Sequence, residues 1–279
     1  MSKVTLLLEE DIKDSKVDFK NFEQAIQGKR HLSVDEIAIL ESNGNRCSTK
    51  DWSNVYVSKE FVTKKIFNSY FAGIVVIGNV RNAKLKYNDL ELDTGIANSY
   101  VEDCIIGDDV VIKNVRHLVN YKISDNVMLF NIQEMTCTNH SKFGNGFLKE
   151  GEAESVRIWV EVANESGGRS VLPFEQMITV DADLWSRDSD DKELQKRFVE
   201  LTEYYNDGKL NTMGFVGKSS VIKNTLLLKD VKIGEGAYIK GALKLKNITI
   251  RSTFDEPTQI GEGVELVNGI LGFGCNVFY

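Results

Sequence analysis

The stretch from Ile106 to Phe147 limits this chain most, because it repeats itself. The phrase Ile106-Gly107-Asp108-Asp109-Val110 returns as Ile123-Ser124-Asp125-Asn126-Val127, 17 residues later. Between them Ile112 and Leu118 keep a beat of six, six and five, which continues at Leu129 and Met135. Neither the 3.6-residue period of a helix nor the alternation of a plain strand gives this spacing. An internal repeat has to be read first, since it fixes the architecture. The beat returns downstream at Val216, Ile222, Leu228 and Ile233, then at Ile239, Leu245, Ile260, Leu266, Leu271 and Val277. A second apolar or small residue stands four further on, at Val110, Val127, Leu226, Ala237, Leu243, Val264 and Ile270. Three short strands per repeat predict a triangular β-solenoid with turns stacked at about 4.8 Å. One turn cannot bury its own apolar corner, so stacking must supply the core. Gly107, Gly217, Gly234 and Gly261 follow corner aliphatics, where the reading expects backbone angles that a Cβ would resist.

This pattern, an aliphatic residue, often Gly, two free positions and a small residue, resembles the hexapeptide-repeat (LpxA-like) superfamily. The resemblance implies a left-handed parallel β-helix. The expected fold is therefore mainly β: a left-handed β-helix with an N-terminal helical cap and an α/β insertion.

Taken in order, residues 1–70 read as a capping lobe. Ser33-Val34-Asp35-Glu36 has the form of a capping box, with a short helix to about Asn43 and Gly44 as its stop. Leu40 and Trp52 are expected to pack this lobe onto the β part. Residues 71–147 form the first β part. The beat fails at His140 and resumes three residues late at Phe143-Gly144-Asn145-Gly146-Phe147, so 137–142 reads as a loop at a corner. Residues 148–213 read as an insertion. It has a strand over Val156–Val162, a Gly167-Gly168 turn, a second extended piece at Val171–Phe174 and a helix from about Ser189 to Asn206. Residues 214–279 form a second β part. No capping helix follows Val277, so this part is read as truncated.

Composition narrows the classes. A net charge of −7 argues against a nucleic-acid binder, though not against a phosphorylated ligand. No apolar run is long enough to span a membrane and no signal peptide opens the chain, so a cytoplasmic protein without a membrane partner is expected. Cys47, Cys104, Cys137 and Cys275 are scattered without a C-x-x-C pair, which fits reduced thiols better than zinc. Gly217-Lys218-Ser219 lacks the glycine a phosphate loop needs five residues earlier, where Thr212 stands.

Several segments resemble a narrower group, the DUF4954 family of bacterial proteins. They are Leu32–Ile37 with Asp51-Trp52, Asn139–Gly146, Arg157-Ile158-Trp159, Asn164–Arg169 with Leu172-Pro173-Phe174, and Asp181–Arg187. The resemblance covers nearly the whole chain and implies fold more than function.

The function expected from the superfamily is acyl transfer, from an acyl-CoA co-substrate to a sugar or nucleotide-sugar. His140 would be the general base, since an imidazole near neutrality suits that task. The alternative is a histidine that satisfies its own loop. Asn139, Lys142, Asn145, Arg157, Glu161, Asn164, Glu165, Arg169 and Arg187 are the candidate substrate-binding residues. Arg157 and Glu161, four apart on the predicted strand, would share a face with Trp159 between them. An ion-paired solvent face is the alternative there. His117 is read as a structural partner of Glu134. No metal site is expected. By analogy a homo-oligomer, a trimer in many relatives, is expected. Two other functions remain open: a non-catalytic nucleotide-sugar-binding regulatory module, and a rigid assembly scaffold.

Overall fold

The structure is a computed structural model that describes residues 19–162, 167–205 and 213–279. Parallel pairing carries one aliphatic row through the molecule. Ile66 pairs with Ile96, Ile96 with Ile112, Ile112 with Leu129, and Leu129 with Ile222. Ile239, Ile260 and Val277 continue it. A second row runs Phe71, Val101, Leu118, Met135, Leu228, Leu245 and Leu266. A third runs Val57, Ile77, Ile106, Ile123, Val216, Ile233 and Ile250. All three line one apolar core, most of whose members are fully buried. At about 25 cal/mol per Å², this burial is the main force holding the wall together.

The chain is thus mainly β, with a closed wall of parallel strands and few helices. This corrects the expected fold, because a left-handed hexapeptide solenoid is not indicated. Val221–Ile233 is one strand of 13 residues and Met128–Thr136 one of nine, each bending at left-handed Asn or Asp, namely Asn224, Asp230 and Asn131. These long strands join the faces into one 18-stranded sheet.

The corner chemistry also differs from the expectation. Left-handed backbone falls on Asp109, Asn114, Asn120, Asn126 and Asn131, at φ between 49° and 58°. Asn and Asp tolerate that region better than other residues bearing a Cβ. The glycines after the aliphatics do not adopt positive φ. They serve close approach instead: a Cβ on Gly217 would lie 2.5 Å from the Gly234 carbonyl carbon. Leu226 and Leu243, read as inward-facing, are instead 49% and 42% exposed.

Outside the wall, an antiparallel hairpin (Lys84–Tyr87 with Leu90–Asp93) covers Val111, Met128 and Val221. Helix α1 (Phe19–Ile26) sets Phe22 against Ile74 and Val76. Helix α2 (Val34–Ser42) begins with a complete capping box. Glu36 N donates to Ser33 Oγ at 3.2 Å, and Ser33 N donates to Glu36 Oε2 at 2.8 Å. Leu40 and Trp52 enter the main core.

Arg30 grips the Glu36 carboxylate with two hydrogen bonds, at 2.7 and 2.8 Å. Those bonds are the main reason its pKa falls from the ordinary 4.5 to about 2. A depressed carboxyl stabilises the fold above its unfolded pKa, and that contribution disappears as pH falls through the folded value. Arg30 is 36% exposed, so solvent screens the pair. Glu36→Gln should therefore cost about 1 kcal/mol at pH 7, and also shrink the loss of stability between pH 4.5 and 2. Urea melts of both proteins across that range check this.

The strand ending at Thr136 pairs directly with Val221–Ile233, so the residues between them leave the wall. The Phe143 phrase does not form a further level of strands. It packs buried against the wall, with Phe143 in the main core; Gly144 N donates to Asn247 Oδ1 at 2.9 Å and Thr249 Oγ1 to Phe143 O at 2.7 Å. The strand expected over Val156–Val162 shrinks to Val160–Glu161, paired antiparallel with Ser170–Val171. Glu154–Val156 is a 3-10 turn. Asp181–Arg187 lies within helix α3 (Thr179–Arg187), followed by α4 (Lys192–Tyr205). Trp185 of α3 stacks on Phe198 of α4, with ring centres 4.8 Å apart.

Candidate ligand cleft

Strand side chains alternate between core and outside. Just before the inward residues Cys47, Phe71, Val101 and Leu118 stand Arg46, Tyr70, Tyr100 and His117, at successive levels of the sheet. Same-face neighbours on adjacent strands lie close enough to stack. Tyr70 and Tyr100 are nearly parallel, 6° apart with centres at 5.4 Å. Tyr100 and His117 follow at 26° and 4.9 Å. His117 thus stacks on Tyr100, whereas its expected partner Glu134 accepts from Thr136 Oγ1 at 3.1 Å.

A second file stands alongside. Asn68, Asn98 and Asn114 turn the chain in left-handed backbone. Their amides link level to level: Asn68 Nδ2 donates to Asn98 Oδ1 at 2.9 Å, and Asn98 Nδ2 to Asn114 Oδ1 at 3.1 Å. Buried Asn45 fixes α2 to this face. Its Nδ2 donates to the Leu40 and Ile66 carbonyls at 2.9 and 2.8 Å, and its Oδ1 accepts from Ser69 N at 3.0 Å.

These elements border an open cleft of about 640 Å³, lined by Glu41, Arg46, Asn68, Tyr70, Tyr100 and Arg116 among others. A neighbouring hollow of about 440 Å³ shares Glu41, Asn45 and Arg46. Both guanidiniums are on exposed residues, and neither has an ion pair or side-chain hydrogen bond among the described residues. Glu41 Oε1 accepts from Trp52 Nε1 at 3.3 Å. Tyr100 donates to Glu102 at 2.8 Å; burial first, and that bond next, keep its phenol protonated far above the usual range. Two free guanidiniums beside a polar floor can grip a phosphate or carboxylate. The Glu41 carboxylate and the Asn amides can meet hydroxyl groups.

The described residues among those expected to form a site lie elsewhere, and the cleft lining includes none of them. His140 and Asn139 are exposed on the loop after Thr136, where Asn139 O accepts from Lys149 Nζ at 2.7 Å. Lys142 turns inward with Nζ 2.6 Å from Glu152 Oε2, an ion pair without hydrogen-bond alignment. Burial pushes Lys149 below its ordinary pKa. Buried Asn145 donates to Lys142 O at 2.8 Å.

Arg157, expected on a strand face, is instead buried and fully engaged. It meets Glu154 at 2.6 Å, Glu203 at 2.5 Å and Gly146 O at 3.0 Å. Glu161 accepts from Arg169 N and Ser170 Oγ, both at 2.7 Å. The Arg169 side chain is exposed, and Arg187 pairs with Asp183 at 2.7 Å. Asn164 and Glu165 lie outside the described residues. Trp159 meets Trp185 edge-on, 6.3 Å between centres.

Arg46, Tyr70, Tyr100 and Arg116 escaped the sequence reading. Tyr100 and His117 keep the 17-residue spacing, but Tyr70 and Tyr100 are 30 apart because the hairpin at Lys84–Asp93 intervenes. Allowing one inserted hairpin in the repeat would have aligned them.

Comparison with known proteins adds family but no activity. A family model described as "Domain of unknown function (DUF4954)" matches residues 29–278. A protein of Treponema pallidum (strain Nichols), described as "Uncharacterized protein", is 44% identical over 250 residues. That match takes in 90% of this chain and 34% of the relative, so the chain spans about a third of that relative's length. No solved structure matches. Among the described residues no helix is long and apolar enough to cross a membrane.

Proposed function

We propose that this chain, which belongs to the DUF4954 family, is a binding module for a small phosphorylated ligand of the sugar-phosphate kind. Arg116 holds the phosphate and Arg46 adds positive charge beside it; Glu41 and the Asn68–Asn98 amides meet hydroxyl groups. One observation carries the reading: two guanidiniums without ion pairs or side-chain hydrogen bonds among the described residues border a 640 Å³ polar cleft. By contrast Arg30, Arg81, Arg157, Arg187 and Arg197 each pair with a carboxylate, and Arg251 lies over the Phe273 ring. Acyl transfer through His140 has less support, because that imidazole is exposed and borders neither hollow of this site.

Calorimetric titration with N-acetylglucosamine 1-phosphate, and with N-acetylglucosamine as control, tests the reading. The phosphate ester should bind and the free sugar should bind far more weakly. Arg46→Ala and Arg116→Ala should each weaken binding about tenfold to a hundredfold, the usual worth of a charge-assisted hydrogen bond. His140→Ala should bind as the parent does. Binding that ignores both arginines would overturn the assignment, and so would acyl transfer from a CoA thioester that His140→Ala abolishes.

A further inference from the structure

The aromatic column ends at Tyr70, and that end lies in the cleft. Along the sheet it runs His117, Tyr100, Tyr70, with ring centres 4.9 and 5.4 Å apart. At the next level stands Arg46, paired through its backbone with Tyr70. Its guanidinium makes no cation–π contact with that ring; among the described residues such contacts are Lys223 with Tyr238 and Arg251 with Phe273. Tyr70 is 38% exposed and belongs to the cleft lining together with Tyr100, while His117 does not. The last ring of the stack therefore lines open cleft, and the Arg46 cation, unpaired among the described residues, stands at the next level.

We propose that the phosphorylated ligand also carries a planar aromatic base, which extends the column on Tyr70: the ligand class is a nucleotide. This rests on the anion-binding reading above and deepens it. Three features argue for a base. A π-face next to a stacked neighbour prefers another flat ring, offset and parallel. Arg46 can close over the outer face of that ring, as guanidiniums do on aromatic planes. Arg116 and the amides of Asn68 and Asn98 remain for phosphate and ribose. Because every base has a π-face, the column selects for a ring without choosing among bases.

The test compares uridine monophosphate, adenosine monophosphate and ribose 5-phosphate by calorimetry on the whole chain. Both nucleotides should bind at least about tenfold more tightly than ribose 5-phosphate, in line with base-on-aromatic stacking. Tyr70→Leu should bring the nucleotides down to the affinity of ribose 5-phosphate and leave ribose 5-phosphate itself unchanged. Arg116→Ala should weaken all three. A thermal melt of Tyr70→Leu near that of the parent shows that the column remains folded. If all three ligands bind equally and Tyr70→Leu changes none of them, the base is refuted while the anion site stands. If none binds, both readings fall.

Discussion

Gly234→Val should unfold the β core. A Cβ at Gly234 would lie 2.4 Å from the Ser252 carbonyl oxygen and 2.5 Å from the Ser252 nitrogen. Neither atom belongs to a side chain that could swing away. Both strands are held where they are: Gly234 N donates to Ile250 O at 2.8 Å, and Glu235 N to Ser252 O at 3.0 Å. Relief requires breaking that ladder on both sides of Ile233, which is fully buried in the core. The cost should exceed about 4 kcal/mol, in the rare tail of single substitutions. Gly269→Ala serves as the control, because a Cβ there meets nothing within 4 Å and its φ is not positive. Denaturant melts should show near-parent stability for Gly269→Ala and little folded protein for Gly234→Val.

Arg157→Ala should detach the segment that leaves the wall. The Arg157 side chain is only 5% exposed and joins three separate pieces of chain. Its donors meet Glu154 on the 3-10 turn, Glu203 on α4 and the Gly146 carbonyl of the Phe143 phrase. Removing one partner of a buried pair typically costs about 3–5 kcal/mol, because the remaining charge is stranded. Glu154 is 76% exposed and Glu203 38%, so water can reach both and the low end, about 3 kcal/mol, is expected. Arg157→Lys keeps the charge but loses the planar fork, and should recover only part of the loss. The damage should be local. Amide exchange should quicken around Gly146, Val171 and Phe198 while the Val221–Ile233 strand stays protected. Unchanged exchange at Gly146 in Arg157→Ala would contradict the clamp.

These cases show what the sequence could and could not reveal. The inward rows were legible because burial imposes composition: Ile112, Leu129, Ile222 and Ile239 must all be apolar to share one core. The fold drawn from those rows was not, because a spacing of aliphatics does not say where strands break. Asn114, Asn120 and Asn131 turn the chain, yet in sequence they read as free positions. Corner glycines were read as conformational when their role is steric. The same limit hid the cleft. Arg46 and Arg116 look like ordinary surface charges, and their meaning comes from standing beside stacked rings without a partner. Arg157 erred in the opposite direction. It looked available in a turn-rich insertion, but tertiary packing consumes every arm of its guanidinium. Nothing local in sequence distinguishes a spent arginine from a free one.

Hydrogen exchange with and without uridine monophosphate tests the cleft assignment most directly. Protection is predicted at residues 41–46, 68–70 and 98–100, and it should vanish in the Arg46→Ala, Arg116→Ala double variant. Protection at residues 139–142 instead, surviving in that variant, would place the site on the His140 loop and contradict the account.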